Sequence, residues 1–122
     1  MEYFVAVPSY RRHQVCKERT LKTLERLSVP KEKIKVFVAD EYDEVEYKKI
    51  IKDVEIIRGV PQLIHQRRFY NHYFDKGTKL LNVDDDLYDL KYVKKDGKLA
   101  QYNQPLENVI EYAFKMCRQT GA

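Results

Sequence analysis

Three consecutive aspartates, Asp84, Asp85 and Asp86, directly follow an apolar segment at residues 79–83. If that segment is a buried strand, the carboxylates emerge at its carboxyl end, where open α/β sheets bind their ligands. Side chains alternate along an extended backbone, so Asp84 and Asp86 are expected on one side and Asp85 on the other. Mg²⁺ and Mn²⁺ prefer oxygen ligands and commonly take one or two carboxylates. We therefore predict that Asp84 and Asp86 bind a divalent cation; the alternative is an acidic turn that caps the next element.

Two further loops carry groups suited to a nucleotide. Residues 8–12 (Pro-Ser-Tyr-Arg-Arg) follow the first predicted strand and offer backbone N–H groups, a hydroxyl, an aromatic ring and two cations to a base and its phosphates. Asp40 and Glu41 end the second predicted strand, where a carboxylate can accept hydrogen bonds from a base or a ribose. The alternatives are a strand-ending proline with a serine N-cap, and an aspartate that starts a turn.

A helix predicted for residues 60–75 carries the remaining candidates. Its apolar face is formed by Leu63, Tyr70 and Phe74. Arg67 lies beside that face, so we expect its guanidinium to be partly buried and to need a carboxylate or phosphate partner. Gln66 and Arg68 are expected to be solvated surface groups, the usual state of polar residues on a helix.

Cysteine and histidine form no recognisable metal or redox motif. Cys16 and Cys117 lack CxxC or Cys/His spacing, and each is predicted to be a small buried hydrophobe on a helix. His13, His65 and His72 lack ligand spacing and are expected at the surface or at caps. The sequence also contains no P-loop and no GxGxxG motif, so phosphate would have to be held by other groups.

Length and composition indicate one globular domain of 122 residues, with 43% apolar and 12% aromatic residues. No apolar run reaches the roughly 18 residues of a membrane span and no signal-like leader is present, so we expect an intracellular, cytoplasmic protein, in the host cell if it is viral. The net charge of +4 suits phosphate-bearing ligands without requiring nucleic acid.

The elements alternate in the order β-α-β-α-β-α-β-hairpin-α. Strands are predicted at residues 3–7, 34–39, 54–57 and 79–84, with a hairpin turn at 95–98 within residues 88–102. Asp43 and Glu46 have capping-box spacing at the start of the second helix, and Gly121 is predicted to end the last helix. This alternation predicts a three-layer α/β/α fold with a mostly parallel open sheet, followed by a β-hairpin after the aspartates. A further strand is expected after the last helix, so the chain looks cut short.

In order and spacing, several segments resemble the nucleotide-sugar-binding half of glycosyltransferases with the GT-A fold. The matching segments are residues 5–11, 38–40, 66–68 and 81–86. The pair Gln66-Arg67 before the Asp-Asp-Asp strand is most similar to the phage and TET-associated glycosyltransferases proposed to modify bases in DNA. Family members often have asparagine where this chain has Arg68, and the acceptor half with the catalytic base is missing.

The resemblance implies a metal-dependent transfer of a sugar from UDP-glucose or a related UDP-sugar to a hydroxyl acceptor, with a modified DNA base as one candidate. It implies that residues 1–122 are a single, partial GT-A domain, inactive alone or completed by a second chain or oligomer. The cofactor would be Mn²⁺ or Mg²⁺, held by Asp84 and Asp86. The nucleotide-sugar-binding residues would be Pro8, Ser9, Tyr10, Arg11, Asp40, Arg67, Arg68, Asp84 and Asp85, while the catalytic residue stays unassigned.

Two other functions are compatible with the same residues. A basic module that binds nucleic acid without catalysis would use Arg11, Arg12, Arg67 and Arg68 with the tyrosines. A nucleotidyltransferase would share the metal-binding carboxylates and the open sheet. Binding of UDP that depends on metal, binding of duplex DNA that depends on salt, and a sugar-free product from a nucleoside triphosphate would distinguish the three.

Overall fold

The computed structural model describes residues 2–87 and 89–120. A parallel four-stranded sheet forms its centre, in the order β3-β2-β1-β4. The strands are β1 (Phe4–Pro8), β2 (Ile34–Val38), β3 (Glu55–Arg58) and β4 (Leu80–Asn82). A separate antiparallel hairpin consists of β5 (Lys91–Val93) and β6 (Leu99–Gln101). The predicted α/β architecture and the hairpin after the aspartates are confirmed.

The first crossover helix changes its hydrogen-bonding pattern along its length. It consists of α1 (His13–Val15), a π-helical segment (Cys16–Leu21) and α2 (Lys22–Arg26). A 3₁₀ turn (Lys31–Lys33) leads into β2, and the other helices are α3 (Glu41–Ile50), α4 (Leu63–Tyr73) and α5 (Leu106–Thr120). Tyr88, where the predicted hairpin segment begins, and Gly121 lie outside the described residues.

The strands bury both faces of the sheet, as parallel strands in α/β proteins do. On one face Val5, Val7, Val36 and Val38 pack with the first helix, α3 and α5, and Leu24, Tyr47 and Ile110 are among the buried helical residues. On the other face Ala6 and Phe37 pack against Tyr70 of α4. Helices therefore cover both sides, which gives the three layers α/β/α.

An aromatic cluster fills the space between α4 and the sheet. The Phe37 ring contacts the rings of Phe69, Tyr70, Tyr73 and Phe74, with centroids 5.0–6.3 Å apart. Aromatic pairs at such separations add stability beyond the area they bury. Leu63, which we expected on this apolar face, is instead 53% exposed, so that part of the prediction is wrong.

Two further predictions about single residues are wrong. Asp40, not Asp43, is the N-cap of α3, since its carboxylate accepts a hydrogen bond from the Asp43 N–H at 3.0 Å. Cys16 is buried as expected, but Cys117 is exposed on α5.

Within residues 2–87 and 89–120, no helix has both the length and the apolar character needed to cross a lipid bilayer.

Candidate functional site

The loops after β1 and β4 meet at the carboxyl edge of the sheet, where the strand order reverses. β1 connects to β2 on one side while β4 pairs with it on the other, and such a reversal leaves a crevice that binds ligands in open α/β sheets. Ser9 Oγ donates a hydrogen bond to Asp85 Oδ2 across this crevice at 2.7 Å. The two loops predicted to carry the chemistry are therefore in direct contact.

A cavity of about 430 Å³ opens beside this contact. It is lined by Pro8, Ser9, Tyr10, Arg12, Ala39, Val60, Pro61, Gln62, Leu63, Gln66 and Asp85. Most of its wall is apolar. The polar groups come from the loop after β1, from Gln62 and Gln66 at the N-cap and in the first part of α4, and from Asp85. A cavity of this size with few convergent polar groups is the usual form of a small-molecule site.

Tyr47 of α3 contacts the loop after β1 without lining the cavity. Its hydroxyl lies 2.5 Å from Ser9 Oγ and accepts a hydrogen bond from the Arg12 backbone N–H at 3.0 Å. Its ring is fully buried, and burial raises the pKa of Tyr47 to about 12. The phenol therefore stays protonated at neutral pH and can donate to Ser9.

Arg12 pairs with two of the three aspartates. One guanidinium nitrogen lies 3.1 Å from Asp85 Oδ1 and the other lies 3.6 Å from Asp86 Oδ2. Asp85 is nearly buried, whereas Asp86 is about half exposed. The repulsion among the three carboxylates is thus partly offset by a cation from the β1 loop.

The first and third aspartates face a different space from the second. Asp84 and Asp86 line a cavity of about 790 Å³ whose apolar walls come from β4, α5 and the segment between them. Asp85 lines the cavity next to Ser9. This is the side-to-side alternation expected from the sequence.

The π-helical segment fixes the turn that carries the aspartates. Thr20 Oγ1 donates a hydrogen bond to the Asp84 carbonyl at 2.5 Å and accepts one from the Leu87 N–H at 2.9 Å. Thr23 Oγ1 also donates to the Leu87 carbonyl, at 3.2 Å. Two threonines of one helix therefore hold both ends of residues 84–87.

Arg11 is engaged away from the cavity. Its guanidinium pairs with Asp40 at 3.0 Å and with buried Asp43 at 2.8 Å. It also lies over the rings of Tyr10 and Tyr42, 5.0 and 4.4 Å from their centroids. The backbone of Arg11 has φ +53°, a left-handed conformation that residues other than glycine rarely adopt. Arg11 and Asp40, both predicted to bind a nucleotide, therefore contact each other.

Gln66, and not Arg67, is the buried polar residue of α4. The Gln66 amide donates to the Val38 carbonyl and accepts from the Val60 N–H, both at 3.0 Å. Gly59 makes this possible, because a Cβ at that position would lie 1.9 Å from Gln66 Oε1. The expectation that Gln66 is solvated is wrong.

Arg67 is exposed, contrary to the expectation of partial burial, and neither Arg67 nor Arg68 lines the cavity near Ser9. Burial raises the pKa of Tyr70 and the positive charge of Arg67 opposes that shift, which places Arg67 beside Tyr70. Arg68 lies in a shallow depression with His65 and His72. The structure thus brings Pro8, Ser9, Tyr10 and Asp85 together and leaves these two arginines outside.

A divalent cation would find two carboxylates of this chain at the aspartate turn. Among the residues that the structure describes, no group of three or more His, Cys, Asp or Glu side chains could hold a metal ion. Asp84 and Asp86 share one cavity wall, while Asp85 is already bonded to Ser9 and Arg12. This donor set fits an ion that takes one or two carboxylates and completes its shell with water and ligand phosphates.

No protein-family model matches the sequence, and neither a curated protein nor a solved structure matches it.

Tyr47, Thr20 and Gln66 were not predicted as site residues. The sequence pattern places Tyr47 and Thr20 on apolar helical faces, and both are indeed buried. The available signal was chemical: a tyrosine or threonine on a buried face needs a partner for its hydroxyl. For Gln66, the signal was the nearby Gly59, which permits close approach of another group.

Proposed function

We propose that this chain is the nucleotide-sugar-binding half of a metal-dependent glycosyltransferase that uses UDP-glucose or a related UDP-sugar. The observation that carries the proposal is the Ser9–Asp85 contact beside a cavity at the strand-order reversal of a parallel sheet. This is the place where open α/β sheets bind nucleotides. The family resemblance of the same loops supplies the substrate class.

The cavity offers separate groups to the parts of a nucleotide. Tyr10 is 56% exposed and, together with Pro8, presents a surface on which a planar base can stack. Arg12 lines the same cavity and presents a planar cation suited to phosphate oxygens. Base and phosphate binding would therefore both come from the loop between β1 and α1.

Asp84 and Asp86 are the proposed ligands of Mn²⁺ or Mg²⁺. When bound, such an ion neutralises the negative charge that develops on a nucleoside diphosphate as it leaves. Thr20 keeps the aspartate turn in place, because it bonds the backbone at both ends of the turn. Arg12 adds a second positive charge between the two cavities, because it lines the one beside Ser9 and pairs with Asp86, which lines the other.

The acceptor is proposed to be a hydroxyl group, with a modified DNA base as the specific candidate. A second chain, or another copy in an oligomer, is proposed to supply the acceptor half and the catalytic base. Both parts of this proposal come from the resemblance to GT-A glycosyltransferases.

Calorimetric titration of UDP with and without Mn²⁺ tests the proposal. We expect binding that requires Mn²⁺ and that weakens by about tenfold or more in Asp86→Asn, because one charge-assisted contact is lost. Asp96→Asn is the matched control, since Asp86 and Asp96 have side chains 48% and 52% exposed and Asp96 lies in the hairpin turn.

UDP affinity that ignores both Mn²⁺ and Asp86→Asn would refute the proposal. Salt-dependent binding of duplex DNA that UDP-sugar does not affect would instead favour a nucleic-acid-binding module. Incubation with a nucleoside triphosphate that yields a sugar-free nucleotidyl product would favour a nucleotidyltransferase.

A further inference from the structure

A closed circuit of three hydrogen bonds and one ion pair begins and ends at Arg12. The Arg12 backbone N–H donates to Tyr47 Oη at 3.0 Å, and Tyr47 Oη lies 2.5 Å from Ser9 Oγ. Ser9 Oγ donates to Asp85 Oδ2 at 2.7 Å, and Asp85 Oδ1 lies 3.1 Å from the Arg12 guanidinium. The backbone and the side chain of one arginine are thus joined through three other residues.

The direction of each bond in the circuit follows from donor counting. A carboxylate only accepts, so the single Ser9 proton goes to Asp85. Tyr47 must then donate its proton to Ser9, and its oxygen is left to accept the Arg12 N–H. Both Asp85 oxygens are occupied, one by Ser9 and one by Arg12. Asp85 is therefore held by one hydrogen bond and one ion pair, and it cannot turn towards Asp84 without breaking one of them.

The two neighbouring arginines differ in what their side chains can still bind. Arg11 is held by two carboxylates and two aromatic rings. Arg12 lines the cavity, is 45% exposed, and has a closer partner in Asp85 than in Asp86. A guanidinium has five N–H donors, so Arg12 keeps donors for an anion while Asp85 holds it.

We infer that Tyr47, Ser9 and Asp85 are positioning residues that hold the Arg12 guanidinium at the cavity to bind the diphosphate of a nucleotide. This inference rests on the proposed function, which supplies the diphosphate. A flexible arginine loses rotamer freedom when it binds an anion, and an arginine already fixed by Asp85 loses less. The circuit thus raises affinity for the diphosphate without touching it.

A double-mutant cycle tests the inference, with UDP and uridine as probes in the presence of Mg²⁺. Arg12→Ala is expected to weaken UDP binding by about tenfold or more, the loss of one charge-assisted bond. Tyr47→Phe is expected to weaken it by about two- to tenfold, the cost of ordering one flexible side chain. In the Arg12→Ala background, Tyr47→Phe should have no further effect. Uridine lacks the diphosphate, so its binding, followed by NMR shifts, should not change.

Three other variants separate positioning from general damage. Ser9→Ala breaks the circuit at a second point and should reproduce the Tyr47→Phe effect, while Ser9→Thr keeps a hydroxyl and should restore most of the UDP affinity. Tyr3→Phe is the matched control, because Tyr3 is also buried but precedes β1 at the opposite edge of the sheet. It should bind UDP as the unmodified chain does.

Each outcome bears on one proposal or on both. If UDP binds but Tyr47→Phe and Ser9→Ala leave its affinity unchanged, or weaken it equally with and without Arg12, the positioning inference is overturned and the proposed function stands. If the chain binds pyrophosphate with the expected coupling but does not bind UDP, the proposed function alone fails. If it binds neither UDP nor pyrophosphate, both are overturned.

Discussion

Two buried tyrosines offer a direct test of how much the Tyr47 hydroxyl contributes to stability. Tyr47 and Tyr70 are both fully buried, on opposite faces of the sheet. The Tyr47 hydroxyl has two hydrogen-bond partners, Ser9 Oγ and the Arg12 N–H. The Tyr70 hydroxyl forms no hydrogen bond of acceptable geometry among the residues that the structure describes, although the positive charge of Arg67 lies close enough to oppose the rise in its pKa. Replacing each by phenylalanine removes the same atom from very different surroundings.

The two substitutions are expected to change the free energy of unfolding by clearly different amounts. A typical intramolecular hydrogen bond contributes about 0.5–1.5 kcal/mol net, so Tyr47→Phe should lower the free energy of unfolding by about 1–3 kcal/mol. Tyr70→Phe removes a buried hydroxyl whose burial only the neighbouring Arg67 charge compensates, so the free energy of unfolding should change by less than about 1 kcal/mol in either direction. The cavity left by one oxygen atom is similar in both cases and does not affect the comparison.

Urea unfolding followed by far-ultraviolet circular dichroism gives both free energies. The two variants should share one m-value, since they expose the same surface on unfolding. Equal destabilisation by both substitutions would refute the reasoning, because it would mean that the Ser9 and Arg12 contacts add nothing. A larger loss in Tyr70→Phe than in Tyr47→Phe would refute it more strongly.

Two further predictions follow from close contacts and burial. Gly59→Ala should lower the free energy of unfolding by about 1–3 kcal/mol, because the new Cβ, 1.9 Å from Gln66 Oε1, would force Gln66 off its backbone partners. Urea unfolding measures this loss. In a Gln66→Ala background, Gly59→Ala should cause no further loss. Burial raises the pKa of Cys16 to about 12, and the Asp85 charge adds to the shift. At pH 8, Ellman's reagent should therefore react with exposed Cys117 and reach Cys16 only after unfolding. Two rapidly reacting thiols in the native protein would contradict this prediction.

Local sequence patterns were sufficient for the strands. The first two strands lie within about one residue of their predicted ends, because short β-branched runs bounded by proline or aspartate are a local signal. Asp85 lines a different cavity from Asp84 and Asp86, as predicted from an extended backbone, but Asp85 and Asp86 lie in a turn after β4 and not in a strand. The strand prediction does not depend on contacts between distant residues, whereas the aspartate turn is held by Thr20 and Thr23, more than 60 positions earlier.

The partners of the buried polar groups could not be predicted in the same way. Tyr47 was placed correctly on a buried helical face, but its hydroxyl bonds Ser9, 38 positions earlier, and only tertiary packing brings the two residues together. On α4 the expected order of burial was reversed. Gln66 is buried instead of Arg67 because Gly59 lets the Gln66 amide reach the Val38 carbonyl and the Val60 N–H.

β4 is an edge strand of the sheet, while β1 lies between β2 and β4. Val5, Ala6 and Val7 have no exposed surface, whereas Leu80 and Leu81 are only half-buried. Amide protons of β1 are therefore expected to exchange with deuterium only when the whole domain unfolds, and those of β4 through local fraying. Such fraying is expected to stop at the aspartate turn, because Thr20 and Thr23 of the first helix bond the backbone of residues 84–87. Ser9 and Asp85 would therefore keep their contact while the strand before the aspartates opens.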